Sequence, residues 1–182
     1  MTASLVKKDL RKFINEEKRD YFPKFFKTGK GEYGEGDKFL GVVMPDITNV
    51  AKKYSNLKKE EIEKLLYSPW HEERMCGWVI VLNNFDKSDK KDEWYKFTIK
   101  NIKQLNSWDL VDKIAPNIIG KYLVNQGHKQ ILEWSNNNSL WIRRIAILAS
   151  WSRIKNNEFN LTLKLAKKYI NDTEDLIHKA TG

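Results

Sequence analysis

NSWDLVDKIAPNIIGKYL, residues 106–123, begins with two polar residues and then places Val111, Ile114, Ala115, Ile118, Ile119 and Tyr122 three and four positions apart. That spacing repeats every 3.6 residues and puts one apolar stripe on a helix, where a strand would alternate every two. Ser107 before the run is a helix N-cap signal. Thirty-two residues on, Ser139 stands before LWIRRIAILAS in the same relation. Working outward, Ser68 precedes PWHEERMCGWVIVL and Thr173 precedes EDLIHKATG, at intervals of 39 and 34 residues from their neighbours. KKEEIEKLLY, DEWYKFTIKNIKQL, HKQILEWS and LTLKLAKKYI supply an amphipathic helix before each opener or between them. Strand-like alternation is nowhere sustained, so the class is all-α. A helix pair of about 35 residues is the unit of an α-solenoid, and the irregular interval predicts HEAT-like pairs in a superhelical array.

The length predicts a single domain over 1–182. Within it, 1–28 reads as an N-terminal helical pair and 45–182 as the repeat array. Between them, GKGEYGEGDKFLG (29–41) holds five of the nine glycines. It lacks the Lys-Ser/Thr ending of a P-loop and the spacing of a dinucleotide-binding turn, so it reads as a joining loop.

Thirty-three Lys and Arg against 24 Asp and Glu give a net charge of +9. Such an excess points to a polyanionic partner, nucleic acid before an anionic membrane surface. No apolar run reaches the length of a membrane span and MTASLVKKDLRKF carries no signal-type apolar segment, which places the protein in the cytoplasm. A lone cysteine, Cys76, excludes an internal disulfide and a multi-cysteine zinc site. Set in MCGWVIVL, it reads as a small buried hydrophobe. His71, His128 and His178 have no metal-ligand spacing, and no metal or cofactor is expected.

Counting five residues from each opener gives Glu73, Asp112, Arg144 and His178. In stacked repeats, equivalent positions line one wall, so Asp112 and Arg144 should be neighbours across 32 residues of sequence. Trp108 lies one helical turn before Asp112 and on the same face, whereas Asp109 points elsewhere. A carboxylate in a basic, aromatic cleft can stabilise a developing cation and orient a water. Cleavage of an N-glycosidic bond produces such a cation on the sugar, and an indole face adds to its stabilisation. Around them, Arg143, Arg144, His178 and Lys179 form a basic wall suited to DNA phosphates. Trp78, Trp94, Trp134 and Trp151 read as core or inter-helix packing, and Trp141 as a packing anchor.

NSWDLVDKIAPNIIGKYL, SLWIRRIAILAS, SPWHEERMCGW, DLIHKATG and FFKTGKGEYGEGDKFLGVVMPDITNVAKKY together resemble the bacterial AlkD-type DNA alkylation repair glycosylases, from about Tyr21 to Gly182. The resemblance implies HEAT-like helix pairs, no cofactor, and removal of N3- and N7-alkylated purines from double-stranded DNA. It puts Asp112 at the catalytic aspartate position, Trp108 at an aromatic position against the sugar, and Arg144 at the basic position beside the aspartate. Phe25 aligns with an aromatic of the N-terminal helices. Ile142 stands where the family usually has Glu, and the family's further cleft Trp follows the position of Gly182. Binding should be sequence-independent, through backbone phosphates, by a monomer that makes no use of a membrane and leaves an abasic site. The alternative from another class is a non-catalytic HEAT-like scaffold that binds DNA or protein.

Overall fold

The structure is a computed structural model that describes Met1–Gly182, and the chain is all-α. The helices are α1 (Ala3–Leu10), α2 (Glu16–Phe25), α3 (Met44–Lys53), α4 (Lys59–Leu66), α5 (His71–Lys87), α6 (Lys91–Lys100), α7 (Trp108–Ile114), α8 (Lys121–Leu123), α9 (Lys129–Trp134), α10 (Leu140–Ile154), α11 (Asn160–Tyr169) and α12 (Asp175–Thr181). A π-helical turn, Ala115–Gly120, joins α7 to α8. Extended pairing is confined to one isolated bridge between Lys38 and Trp70. No helix is long and apolar enough to cross a membrane. The chain forms two compact units, one of Met1–Lys90 with Lys100–Gln104, the other of Lys91–Ile99 with Leu105–Gly182.

In the first unit α5 packs on α3, α4 and α1. Ile62, Leu65, Leu66, Trp78 and Ile80 are fully buried there, each side chain contributing about 1.5–3 kcal/mol relative to exposure. Cys76 is buried with them, and loss of solvent pushes its thiol up to about 12, so it packs as a hydrophobe. Before the glycine-rich segment stand α1 and α2, and Asn15 caps α2 by accepting the Lys18 N–H at 2.9 Å. The glycine-rich segment is a loop without helix or strand, and α5 holds it in place. Glu72 accepts the N–H groups of Leu40, Gly41 and Val42 at 2.9, 2.8 and 3.3 Å, and the His71 N–H donates to Lys38 O at 2.8 Å. Gly41 has φ +82°, and a Cβ there would lie 2.1 Å from the carbonyl oxygen of Asn15. Only glycine lets the loop return so close to the start of α2.

The second unit is organised around α10, which packs on α7, the π-helical turn, α9, α11 and α12. Leu110, Val111, Ile114, Ile118, Ile119, Ile145, Ala146, Leu165 and Ile177 are buried. The reading of 108–123 as one helix needs amendment at Pro116. Proline has no N–H to give to the carbonyl four residues back, which is that of Asp112, and the helix widens into the π-turn. The next carbonyl, that of Lys113, accepts the Asn117 side-chain amide at 2.9 Å. At Gly120 a Cβ would lie 2.4 Å from the Ala149 carbonyl oxygen, and Ser152 Oγ donates to Pro116 O at 2.7 Å. This close backbone approach sets the distance between the α7 segment and α10.

Two of the four expected caps are displaced. α5 begins after Trp70, not Ser68, and α12 begins after Glu174, not Thr173. Ser68 instead donates to Glu73 Oε2 at 2.6 Å and accepts the Trp70 N–H, holding the chain in a turn before the helix starts. Ser107 and Ser139 do occupy N-cap positions, without side-chain cap bonds. Ser107 Oγ donates to Asp109 Oδ1 at 2.8 Å. Trp78 is fully buried, but Trp151 is 48% exposed, with the Lys155 ammonium 4.8 Å from its ring centroid, so it is not a core residue. It occupies the solvent side of the last turn of α10, where neighbouring Ala149, Ser150 and Arg153 take the buried positions.

Candidate functional site

Asp112 is the fifth residue of α7, and Arg144 the fifth of α10. Because these two helices start from equivalent caps, the close packing at Gly120 brings the equal positions together. Arg144 Nε donates to Asp112 Oδ1 at 2.8 Å and Nη2 donates to Oδ2 at 2.9 Å, a two-pronged ion pair. The third nitrogen, Nη1, donates to the carbonyl of Leu176 in the first turn of α12. The guanidinium is thereby fixed on three sides. It is buried, its side chain 6% exposed, while the Asp112 side chain is 39% exposed.

That asymmetry defines what the pair can do. A buried arginine whose three nitrogens all donate to protein oxygens orients a carboxylate and is itself poorly placed to reach a ligand. The carboxylate keeps an accessible edge with lone pairs free for a water or a cation. Trp108 opens α7 one turn earlier and is half-buried, its position four residues before Asp112 placing it on the same helical side. Asp109, by contrast, turns back to the Ser107 hydroxyl and the Leu110 N–H.

The other residues read from sequence are placed as follows. Arg143 binds Asp172 through Nε and Nη2 at 2.9 and 3.1 Å, and its Nη1 donates to the carbonyls of Asn137 and Asn138. His178 lies on the surface with Nε2 2.6 Å from Asp172 O, and Lys179 pairs with Asp175 at 2.7 Å on the outside of α12. Phe25 is 48% exposed at the end of α2, its ring stacked on Tyr21 with centroids 5.9 Å apart. Glu73, in the first unit, is a buried anchor held by Ser68, Lys7 and Arg11. Although burial works against its charge, those three partners keep its carboxyl below the usual range. No cluster of three His, Cys, Asp or Glu is arranged to hold a metal ion.

Sequence reasoning passed over two groups. One is the buried set at the start of α5, where Asp37 receives His71 Nδ1 at 2.9 Å and Arg74 Nη2 at 2.6 Å and Glu72 clasps the loop. The signal was available: HEER, four polar residues in a row, runs straight into the apolar stretch MCGWVIVL. The other is a cavity of about 260 Å³ between α9 and α11, lined by Leu132, Ser135, Asn136, Lys164, Leu165 and Lys168 and separate from Asp112. Burial lowers the Lys168 pKa, and the charge of Arg143 lowers it further. Nothing in the periodicity of α11 marks that residue out from its neighbouring lysines.

The sequence profile of a family described as DNA alkylation repair enzyme matches residues 6–182. A comparison with curated proteins gave no match.

Proposed function

The chain belongs to the DNA alkylation repair enzyme family, and we propose that it is a monofunctional DNA glycosylase that releases N3- and N7-alkylated purines from duplex DNA. The observation that carries this reading is the Asp112 carboxylate, gripped along both oxygens by a buried arginine yet open to solvent along its other edge. Alkylation at N3 or N7 leaves the purine cationic, so the bond from C1′ to N9 breaks with its electron pair going to a leaving group that becomes neutral. The sugar is left as an oxocarbenium-like cation. Asp112 lies ready to stabilise that charge and to orient the water whose oxygen adds to C1′ as its proton departs. Trp108 supplies an aromatic face worth on the order of 1 kcal/mol to a nearby cation. Arg144 acts through Asp112, setting its two oxygens in place. The product is an abasic site with the strand intact. HEAT-like helix pairs belong to the same reading: α9 with α10 and α11 with α12 are successive packed pairs that present α7, α10 and α12 side by side. Duplex DNA would be held through its phosphates, without sequence preference, by a cytoplasmic monomer.

Release of alkylpurine from a methylated duplex under single-turnover conditions, compared between the parent chain and Asp112→Asn, tests this directly. The substitution keeps size and one acceptor but removes the charge. A fall of about 10²–10³ in rate is expected, with duplex binding retained. An Asn variant that releases base at the parent rate reduces Asp112 to an ion-pair partner. The non-catalytic scaffold would then be the better account, because the pair with Arg144 also suits a purely structural role.

A further inference from the structure

Arg143 and Arg144 are adjacent on α10, and both reach the junction between α11 and α12. Asp172 lies at that junction and is bound more fully than a surface carboxylate. Its oxygens accept Nε and Nη2 of Arg143 and one of them also accepts the Glu174 N–H at 3.0 Å. Its own N–H donates to Tyr169 O at 3.1 Å, and its carbonyl oxygen is 2.6 Å from His178 Nε2, one helical turn into α12. Burial works against its charge, but the bonds from Arg143 and Glu174 and the charge of Arg143 keep its carboxyl below the usual range. Its N–H thus closes the end of α11, while its carboxylate and carbonyl hold the Glu174 N–H and His178 at the start of α12. Four residues later, Leu176 presents the carbonyl that holds the third nitrogen of Arg144.

We infer that Asp172 is a positioning residue for Asp112. Clamped by Arg143, it fixes the start of α12. The Leu176 carbonyl then fixes Arg144, and Arg144 fixes the Asp112 carboxylate. The inference rests on the reading of Asp112 as the catalytic carboxylate. A guanidinium held only by Asp112 can rotate with it. One that is also tied to a main-chain carbonyl on a third helix cannot, and a displacement of about 1 Å at a reacting group is enough to cost a large factor in rate. The pair Arg143–Asp172 thereby does more than join two helices.

The test is a double-mutant cycle. Asp172→Ala should lower the single-turnover release of alkylpurine about tenfold, with affinity for undamaged duplex within twofold of the parent. In an Asp112→Asn background the same change should have no further effect on the rate, because the group it positions is already gone. Equal losses in both backgrounds, or no loss in the parent, overturn the proposal. An independent readout is the Arg144 Nε–H resonance in a ¹H–¹⁵N spectrum, which reports the bond to Asp112 whatever the protein catalyses. Asp172→Ala should shift or broaden it, and an unchanged resonance overturns the proposal. If Asp112→Asn releases base at the parent rate, the catalytic reading falls separately, and this resonance alone decides whether Asp172 positions the pair. Asp172→Asn keeps an oxygen for the Glu174 N–H and serves if the alanine variant does not fold. It should lower the rate by severalfold and shift the Arg144 Nε–H resonance, and parent values in both measurements overturn the proposal.

Discussion

Arg144 has a planar guanidinium with donors on three nitrogens, and the site uses all three. Lysine would keep the positive charge but offers one nitrogen at the end of a flexible stem, and cannot hold both oxygens of Asp112 and the Leu176 carbonyl in one plane. Arg144→Lys is therefore expected to lower thermal or urea stability by about 1–3 kcal/mol, the cost of a buried carbonyl left without its donor. It should also reduce alkylpurine release by roughly tenfold or more through misorientation of Asp112. Parallel urea melts and single-turnover rates check the two effects. A variant with parent activity would show that the two-pronged grip is not needed. At this scale the sequence was informative where two helices share a cap. Counting from Ser107 and Ser139 put Asp112 beside Arg144, and the pair is there. The same count from Ser68 and Thr173 started from residues that do not cap their helices, which are capped later, at Trp70 and Glu174. The burial of Arg144 was not legible, since exposure of a long side chain depends on what lies over it and not on its helical phase.

The helical elements announce themselves through the spacing of their apolar residues, and α10 begins directly after Ser139 and runs through LWIRRIAILAS to Ile154. What periodicity could not report is how close two helices come. Gly120 occupies an interior position of the 108–123 segment, where glycine has poor helix propensity, and its value appears only once α10 is laid against it. A Cβ would stand 2.4 Å from the Ala149 carbonyl oxygen and 2.5 Å from Ser152 Oγ, and the first of these is backbone that cannot rotate away. Gly120→Ala must push the π-turn off α10, with a cost of about 1–3 kcal/mol for overpacking. Because α7 is continuous with that turn, the Asp112–Arg144 distance should grow with it, and base release should fall although no site residue has changed. Denaturant unfolding and the Arg144 Nε–H resonance read both consequences. If Ala is accommodated with unchanged stability, the close approach does not set the site. The loop between α2 and α3 shows the same limit. Its glycines were evident in the sequence, but its attachment depends on Glu72, whose three N–H partners lie more than 29 residues away.

Over the whole molecule, charge controls both stability and partner. Asp37, Glu73 and Asp172 are each held below the usual carboxylate range: burial opposes their charge, and their partners (His71 and Arg74; Ser68, Lys7 and Arg11; Arg143 and the Glu174 N–H) more than offset it. A depressed folded pKa contributes stability that is complete above the unfolded value, near 4, and is lost as pH falls through the folded value. Glu72 acts in the opposite sense, since burial raises its pKa despite the three N–H bonds, and protonation relieves part of that cost. Asp9, Glu61, Glu63 and Asp92 are lowered too by their own lysine partners, so seven carboxylates against one predict a urea midpoint that declines steadily below about pH 4, and a midpoint that rises on acidification would contradict the assignment. Partner binding follows from the net charge of +9. Not every cation can contribute: Arg74, Arg144 and Arg153 are buried in ion pairs and cannot reach a phosphate without breaking them. The contacts must come from exposed lysines and arginines, each releasing about one condensed counterion from the duplex. With roughly five to eight such contacts, log affinity for undamaged duplex against log salt should have a slope of about −5 to −7. Phosphates carry no sequence information, so duplexes of unrelated sequence should give the same slope and nearly the same affinity. Fluorescence anisotropy between about 50 and 200 mM salt covers the range in which that slope amounts to some three to four decades. A flat response, or a strong preference for one sequence, would mean that the positive charge serves something other than the backbone of double-stranded DNA.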